Sequence, residues 1–391
     1  MPYAAALSEH PLATHATGEV VGQVLERLGG QAPDVAVVFV TDAHGGALED
    51  IGATIRASLG PGVLLGVTAV SVTGGSREVE ERPAVSLWAA RFDGAPGTAR
   101  AVRLPGVAGG DPEEAADALV AALPGGIDPA RDLVVLLADP FSFPADAFAR
   151  AVDEGRPGLL VAGGLASAAR GPGGNRLLLD DRVHDDGAVG VVLPVADRAV
   201  PVVSQGCRPI GDPYVVTRAE GNVVYELGGQ SALTRLEDLV ASMGPDERAL
   251  AARGLHIGRV IDERRAHFER GDFLIRGVLG ADRESGAIAI GDRAEVGATL
   301  QFQVRDADAA DEDLRELLAG HDADGALLFT CNGRGRRLFG VDDHDASLLD
   351  GVVAGGASAG MFCAGELGPV GGRNFVHGFT ASMVLFTDRL G

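Results

Sequence analysis

The chain contains no lysine, and all 33 of its basic residues are arginine. Without lysine, neither a Schiff-base mechanism nor the phosphate-binding lysine of a P-loop is available. The 55 acidic residues outnumber the arginines and give a net charge of −22. Such a charge opposes binding to a nucleic-acid backbone or to an anionic membrane surface. We therefore expect no nucleic-acid partner.

Cysteine, aromatic residues and long apolar runs are also scarce. The three cysteines show no Cys-x-x-Cys spacing, which is typical of a reducing compartment rather than of a disulfide framework. No apolar stretch is long enough to cross a membrane, and the N-terminus lacks the pattern of a signal peptide. Aromatic residues make up 5% of a chain that is 46% hydrophobic, so we expect an aliphatic core. These features predict a cytoplasmic protein without membrane insertion.

One structural plan recurs three times along the chain. A short apolar run rich in valine and leucine follows an aspartate, and a second such run follows about 28 residues later. The three aspartates are Asp34, Asp132 and Asp324, and the second runs begin at Val63, Leu159 and Val352. Because these runs are apolar on both faces, they are typical of strands buried inside a sheet.

The segment between the two strands has helical periodicity. In the first repeat Leu48, Ile51 and Ile55 share one helix face. Each second strand then leads through a glycine-rich loop into a third strand, near Val85, Val189 and Thr380. The sequence thus predicts an α/β fold with mixed sheets built from β-α-β-loop-β repeats in two domains. We expect the first two strands of each repeat to be parallel.

The remaining segments fit around these repeats. Residues 1–33 are predicted to form an N-terminal helical lead-in. A first domain covers residues 34–221, and a second covers residues 222–391, with the division near Gly221. In the second domain a hairpin, with its turn at Asp282 to Gly286, precedes the third repeat.

Three strings in the chain resemble hallmarks of the FIST family. They are VSQGCRPIGDPYVVTRAEGNVVYELGG, FTCNGRGRRLFG and CAGELGPVGGRNFVHGFTAS. The first belongs to the connector after the second repeat, and the others belong to the third repeat. The resemblance implies FIST N-terminal and C-terminal domains in an intracellular sensory module. Such a module binds a small ligand, such as an amino acid, and passes the signal to a partner protein. Similar proteins that bind haem and sense nitric oxide make a haem-based gas sensor an alternative.

Polar residues in glycine-rich, strand-flanking loops are the candidate ligand-binding groups. An arginine can pair with a ligand carboxylate, and Glu366 can hold an ammonium group. The alternative is that the same residues shape turns, with Glu366 and Arg373 paired to each other. We expect the loops 363–374 and 204–208 to face a shared cleft that holds an amino acid or another small carboxylate. The candidates are Gln205, Cys207, Arg208, Asn332, Arg334, Glu366, Arg373, Asn374 and His377.

The sequence also contains weaker signals for haem binding, metal binding and serine hydrolysis. His377 lies among apolar neighbours, so it is a candidate haem ligand, but a buried neutral histidine bonded to backbone is the favoured interpretation. The acidic segments 342–345 and 321–324 resemble metal clusters but suit solvated turns, and no metal site is predicted. Residues 356–360 match Gly-x-Ser-x-Gly, which leaves a serine hydrolase using Ser358 and His377 as an alternative. The glycine-rich sequence after Ser358 does not favour the helix that a nucleophile elbow needs, so we do not expect the chain to be an enzyme. We also expect no bound cofactor.

Overall fold

The computed structural model describes residues 2–92, 99–107, 109, 111–195 and 197–388. The chain divides into two compact units. The first unit consists of Met1–Val203 and Leu314–Gly391, and the second unit consists of Ser204–Asp313. All three repeats therefore lie in the first unit, which the chain leaves after the second repeat and re-enters before the third. Gly221, near which the sequence suggests a domain division, lies in a turn inside the second unit.

The first repeat forms where its local sequence predicts it. Leu48, Ile51, Ile55 and Leu59 are buried on one face of its long helix, which ends at Gly60 in the left-handed conformation. The lead-in is not purely helical, because it starts with a strand. The elements are β1 Tyr3–Ser8, α1 Ala13–Arg27, β2 Val35–Thr41, α2 Asp42–Gly45, α3 Leu48–Leu59, β3 Val63–Ala69, β4 Ser71–Gly74, β5 Arg77–Glu80 and β6 Val85–Ala90.

The second repeat has the same order of strands, with one helix instead of two between its first and second long strands, and the strand β13 (Ala199–Gln205) that follows it belongs to the sheet of the third repeat. Asp111 caps its first helix by accepting a hydrogen bond from the Glu113 backbone N–H, at 2.9 Å. The elements are β7 Arg100–Leu104, α4 Pro112–Ala121, β8 Leu133–Ala138, α5 Ala145–Gly155, β9 Leu160–Leu165, β10 Leu177–Leu179, β11 Arg182–His184, β12 Ala188–Leu193 and β13 Ala199–Gln205.

The second unit is mainly antiparallel β-structure. The predicted hairpin is confirmed, and Asp282 accepts hydrogen bonds in its turn from the backbone N–H groups of Glu284 and Ser285. The elements are β14 Cys207–Pro209, β15 Tyr214–Glu220, β16 Val223–Leu227, β17 Gln230–Ser231, α6 Ala232–Ser242, α7 Pro245–Arg253, β18 Leu255–Val260, β19 Phe273–Asp282, β20 Ala287–Ile290 and β21 Thr299–Arg305.

The third repeat differs from its prediction at the second strand. That strand begins at Ser358 rather than at Val352, because Gly355 and Gly356 both have positive φ values near 65° and interrupt extended structure. The elements are α8 Ala307–Leu318, β22 Gly325–Cys331, α9 Arg336–Phe339, α10 His344–Asp350, a 3₁₀ turn Ala354–Gly356, β23 Ser358–Cys363, β24 Glu366–Val370, β25 Arg373–His377 and β26 Thr380–Phe386.

The predicted strand directions are confirmed in all three repeats. The first and second strands are parallel in the pairs β2–β3, β8–β9 and β22–β23. The third strands β6, β12 and β26 run antiparallel to the first strands. Three six-stranded sheets result, one built around each repeat.

The glycine-rich loops of the prediction are hairpins that the repeats exchange. The hairpin β4–β5 of the first repeat joins the sheet of the third, through β23. The hairpin β10–β11 of the second repeat joins the sheet of the first, through β3. The hairpin β24–β25 of the third repeat joins the sheet of the second, through β9. The segment 363–374, which the sequence suggests to be a loop, is therefore largely β-structure. Each repeat completes the sheet of another, so the three form a closed cycle.

One apolar cluster takes residues from all three sheets, and it includes Phe39 and Phe329, whose ring centroids lie 6.2 Å apart. Close strand packing requires glycine inside two of the second strands. A Cβ atom at Gly163 or Gly360 would lie 1.8 Å from a carbonyl oxygen of the neighbouring first strand. These glycines therefore allow the first and second strands to approach each other.

Candidate functional site

The first unit contains a cavity of about 650 Å³ at the carboxyl ends of its parallel strands. Thr41 and Val70 come from the ends of β2 and β3, Ser167 follows β9, Asn332 follows β22, and Phe362 lies near the end of β23. All three repeats thus contribute to its wall. Open α/β sheets commonly bind ligands at this edge, because loops of several strands converge there. We call this cavity the carboxyl-edge pocket.

Ser167 joins the three repeats at the carboxyl-edge pocket. Its hydroxyl accepts a hydrogen bond from the Val70 backbone N–H at 3.0 Å and donates one to the Phe362 carbonyl at 2.5 Å. One side chain of the second repeat thereby binds strand ends of the first and the third. Ser167 is not among the candidate residues that the sequence suggests. The only sequence signal was its place in the loop directly after a second strand.

The pocket presents opposite charges that have no partner in the described part of the chain. Arg170 and Asp42 are exposed, and neither makes an ion pair or a side-chain hydrogen bond with a described residue. The side-chain oxygen Oδ1 of Asn332 is buried and has no hydrogen-bond partner. By contrast, Arg337 pairs with Glu81 at 2.6 Å. A cation, a carboxylate and an amide oxygen therefore remain available at one cavity.

Arg334 belongs to a buried ion pair next to Asn332. Its Nε and Nη2 atoms donate to Asp345 at 2.7 and 2.8 Å, and both side chains are fully buried. Thr330 donates a further hydrogen bond to the same carboxylate, at 2.7 Å. Burial alone would raise the pKa of Asp345, but the Arg334 charge and these hydrogen bonds hold that pKa well below its usual range. Arg334 is thus bound to Asp345.

Glu366 and Arg373 lie at opposite ends of the hairpin β24–β25. Glu366 is opposite His377, whereas Arg373 is opposite Val370 next to the turn. The two ends are four residue steps apart along each strand, which corresponds to about 13 Å. The direct pair between Glu366 and Arg373 that the sequence analysis considered therefore does not form. Arg373 instead lies 3.7 Å from Asp153.

Glu366 is fully buried in the first unit. One carboxyl oxygen accepts hydrogen bonds from the backbone N–H and the hydroxyl of Thr380, at 3.2 and 2.8 Å. The other oxygen is buried without a hydrogen-bond partner. Burial raises the pKa of Glu366 to about 8, so the carboxyl group is mostly neutral at pH 7.

Asn374 and His377 make buried contacts within the same unit. The Asn374 amide donates to Asp153 at 2.7 Å and to the Leu159 carbonyl at 2.8 Å. The Nε2 atom of His377 lies 2.9 Å from the Gly368 carbonyl oxygen. Asn374 therefore links the hairpin to α5 and to the residue before β9, whereas the His377 contact lies within the hairpin.

The other candidates belong to the second unit. Gln205 donates a hydrogen bond to the Phe273 carbonyl at 2.7 Å, and Cys207 is buried. Arg208 pairs with Asp306 at 3.0 Å. The structure thus divides the nine candidates between the units, and the shared cleft stays a prediction.

Ser358 does not have the geometry of a hydrolase nucleophile. It opens strand β23, and its hydroxyl donates to the Gly75 carbonyl at 3.3 Å. A nucleophile elbow instead places its serine between a strand and a helix. His377, the proposed base of that hydrolase, bonds to backbone as described above. The Gly-x-Ser-x-Gly match is therefore explained by a turn and a strand start.

The acidic segments make ion pairs and hydrogen bonds. Asp343 accepts a hydrogen bond from the Glu78 backbone N–H at 2.7 Å and pairs with Arg77 at 3.1 Å. Among the residues that the structure describes, no three histidine, cysteine or acidic side chains are arranged to bind a metal ion. The described helices also include none with the length and apolarity needed to span a membrane.

Comparisons with known proteins give one consistent result. The FIST N domain family model matches residues 34–230, and the FIST C domain model matches residues 232–369. An uncharacterized protein of Mycobacterium tuberculosis is 47% identical over 389 residues, which is 98% of each chain. An uncharacterized protein of Mycobacterium bovis is 46% identical over 386 residues, which is 97% of each chain.

Proposed function

Because this chain belongs to the FIST family, whose domains are sensory and signal-transduction modules, we propose that it senses a small zwitterion, such as an amino acid, in the carboxyl-edge pocket. The observation that carries the proposal is the set of unpaired polar groups around that cavity. Arg170, Asp42 and Asn332 offer a cation, an anion and an amide acceptor. We propose binding without catalysis at this pocket.

Each end of a zwitterion has a suitable partner in the pocket. The Arg170 guanidinium can bind a carboxylate through two parallel hydrogen bonds. Asp42 and the Asn332 oxygen accept hydrogen bonds, so they suit an ammonium group. A dicarboxylate satisfies only the arginine end and brings a second negative charge towards Asp42. The pocket should therefore prefer amino acids to dicarboxylates.

The convergence of the repeats supports a role in signalling. A ligand that contacts Arg170, Asp42 and Asn332 contacts one residue from each repeat. Ligand binding then stabilises the arrangement in which these strand ends are close, by the free energy of binding. We propose that a cytoplasmic signalling partner distinguishes this state from the unliganded one.

Calorimetric titration with a panel of amino acids and dicarboxylates tests the proposal. Arg170→Ala and Asp42→Asn should each weaken binding of the best ligand by at least about tenfold, equivalent to about 1.4 kcal/mol. Arg182→Ala is the matched control, because Arg182 is an exposed arginine outside the pocket lining. It should bind the ligand as wild type does.

Two results would contradict the proposal. One is that no member of the panel binds. The other is that Arg170→Ala and Asp42→Asn bind the best ligand as tightly as the control. If binding is lost instead in Arg373→Ala or Arg208→Ala, the ligand is held by the loops that the sequence analysis selected.

A further inference from the structure

Two cysteines occupy paired positions on neighbouring parallel strands. Cys331 at the end of β22 is in register with Cys363 at the end of β23. Two residues earlier, Phe329 is in register with Met361. Since side chains two residues apart lie on the same face of a strand, both thiols lie on the face that carries these core residues. Adjacent strands are about 4.8 Å apart, and disulfides join Cα atoms about 4.4–6.8 Å apart.

The two thiols differ in their access to solvent. Cys331 is half-buried, whereas Cys363 is fully buried. The Cys363 thiol lies 3.6 Å from the Met361 carbonyl oxygen and points towards Gly164, where a Cβ atom would lie 2.4 Å from the sulfur. Because Gly164 has no side chain, the sulfur has room beside the sheet. A small oxidant therefore reaches Cys331 first, and Cys363 is the neighbour that can resolve the product.

A buried carboxyl group lies beside this pair. Glu366 interacts with the Cys331 thiol and lies close enough to Cys363 to affect its ionisation. One Glu366 oxygen has no hydrogen-bond partner, as described above. A neutral carboxyl group with an available oxygen can accept one proton and donate another in the same step.

We propose that Cys331 and Cys363 form an oxidation site for small hydroperoxides, at which Cys331 reacts first and Cys363 closes a disulfide. The Cys331 sulfur attacks one peroxide oxygen and the O–O bond breaks. The thiol proton passes through Glu366 to the leaving hydroxide, which departs as water and leaves a sulfenic acid. The Cys363 sulfur then displaces hydroxide from that sulfenic acid, and its own proton completes a second water. Hydrogen peroxide is reduced and the two thiols are oxidised.

The oxidation site adjoins the carboxyl-edge pocket. Asn332 directly follows Cys331, and Phe362 directly precedes Cys363, and both residues line the pocket. Closing a disulfide at this position constrains the ends of β22 and β23, and with them one wall of the pocket. This consequence rests on the proposed function, whereas the disulfide itself does not.

Intact-mass and peptide-mapping measurements on the full chain test the site. Treatment with a stoichiometric amount of hydrogen peroxide should produce a species about 2 Da lighter, reversed by a dithiol reductant. The map should show a Cys331–Cys363 bond. Cys207→Ser is the control, because Cys207 belongs to the second unit. It should form the bond as wild type does.

Single variants separate the two roles. Cys363→Ser should stop at a Cys331 sulfenic acid that a cyclic dione traps, and Cys331→Ser should leave Cys363 reduced. Glu366→Gln should slow bond formation by about 10²-fold and change its pH profile. Hydrogen exchange of residues 332–337 should decrease when the disulfide closes.

The proposal is overturned if wild type and Cys207→Ser both overoxidise at Cys331 without linking to Cys363. It is also overturned if Cys331→Ser consumes peroxide as fast as wild type. These readouts need no ligand, so they are independent of the titrations above. Circular dichroism of each variant identifies one that fails to fold, and the wild-type and Cys207→Ser measurements then decide the question alone.

Discussion

Removing one partner of the buried pair Arg334–Asp345 should strongly destabilise the first unit. Arg334 donates two hydrogen bonds of 2.7 and 2.8 Å to Asp345, and neither side chain is exposed. In Arg334→Met the Asp345 carboxylate remains buried without its arginine partner, and it keeps the contacts with the Thr330 hydroxyl at 2.7 Å and with Nδ1 of His344 at 2.9 Å. Breaking a buried pair in this way costs about 3–5 kcal/mol of unfolding free energy.

A double-mutant cycle isolates the interaction. Arg334→Met and Asp345→Ala should each cost about 3–5 kcal/mol. The double variant should lose less than their sum, because it leaves no unpaired buried charge. Guanidinium chloride unfolding followed by circular dichroism measures the four free energies. The exposed pair Arg150–Glu113 is the control, and removing it should cost under about 1 kcal/mol.

The pair also predicts a pH dependence. The folded-state pKa of Asp345 is depressed, so its contribution is present above the unfolded carboxyl pKa of about 3.9 and decreases as the pH falls below that value. Asp345→Ala should be less sensitive to acid than wild type. The reasoning is refuted if either single variant of the pair costs less than about 1 kcal/mol, or if the two losses are additive.

Three further predictions concern the core of the first unit. Burial raises the pKa of Glu366 to about 8. The contribution of its protonated carboxyl group to the free energy of unfolding is therefore full below the unfolded pKa of about 4.5. That contribution decreases as the pH rises from there to 8, by up to about 1.4 kcal/mol per pH unit. Glu366→Gln should remove this part of the slope in urea unfolding measured across pH, and an unchanged slope would contradict the assignment. Gly360→Ala would place a Cβ atom 1.8 Å from the Leu328 carbonyl oxygen, so we expect a loss of about 3 kcal/mol or more. The matched control Gly22→Ala, in a helix with open space around the added atom, should be neutral or stabilising in the same thermal melts. The purified protein should lack a haem absorption band, because His377 is buried and bonded to backbone; a Soret band lost in His377→Ala would show the opposite.

Local sequence predicted the repeats well because their signals are local. The apolar run of β2, the helical stripe of α3 and the stop at Gly60 act within a few residues. The prediction was less accurate where glycines are consecutive. Gly355 and Gly356 shift the start of β23 to Ser358, and this shift follows from their positive φ values, which the sequence does not give. Helices α7 and α8 were not predicted. None of the residues of α7 is buried, so its sequence has no buried apolar face to indicate a helix.

The candidate site was predicted in part. Asn332 was selected because it follows a buried strand, and it does line the carboxyl-edge pocket. Ser167, Arg170 and Asp42 also follow strands, but nothing in their local sequence distinguishes them from ordinary turn residues. Arg334 was selected because its glycine-rich sequence context resembles a ligand-binding loop. Its guanidinium group is instead paired with Asp345.

The sequence by itself determined the three β-α-β units, their parallel strands and the acidic, lysine-free composition. Only the tertiary structure decided which sheet each hairpin joins. Hairpins β4–β5, β10–β11 and β24–β25 each pair with a strand of another repeat. Periodicity describes which face of a strand is apolar, but backbone hydrogen bonds along a sheet edge are the same for any neighbour. Packing of the three sheets around one core selects the neighbour, and that selection brings the strand ends together at the pocket.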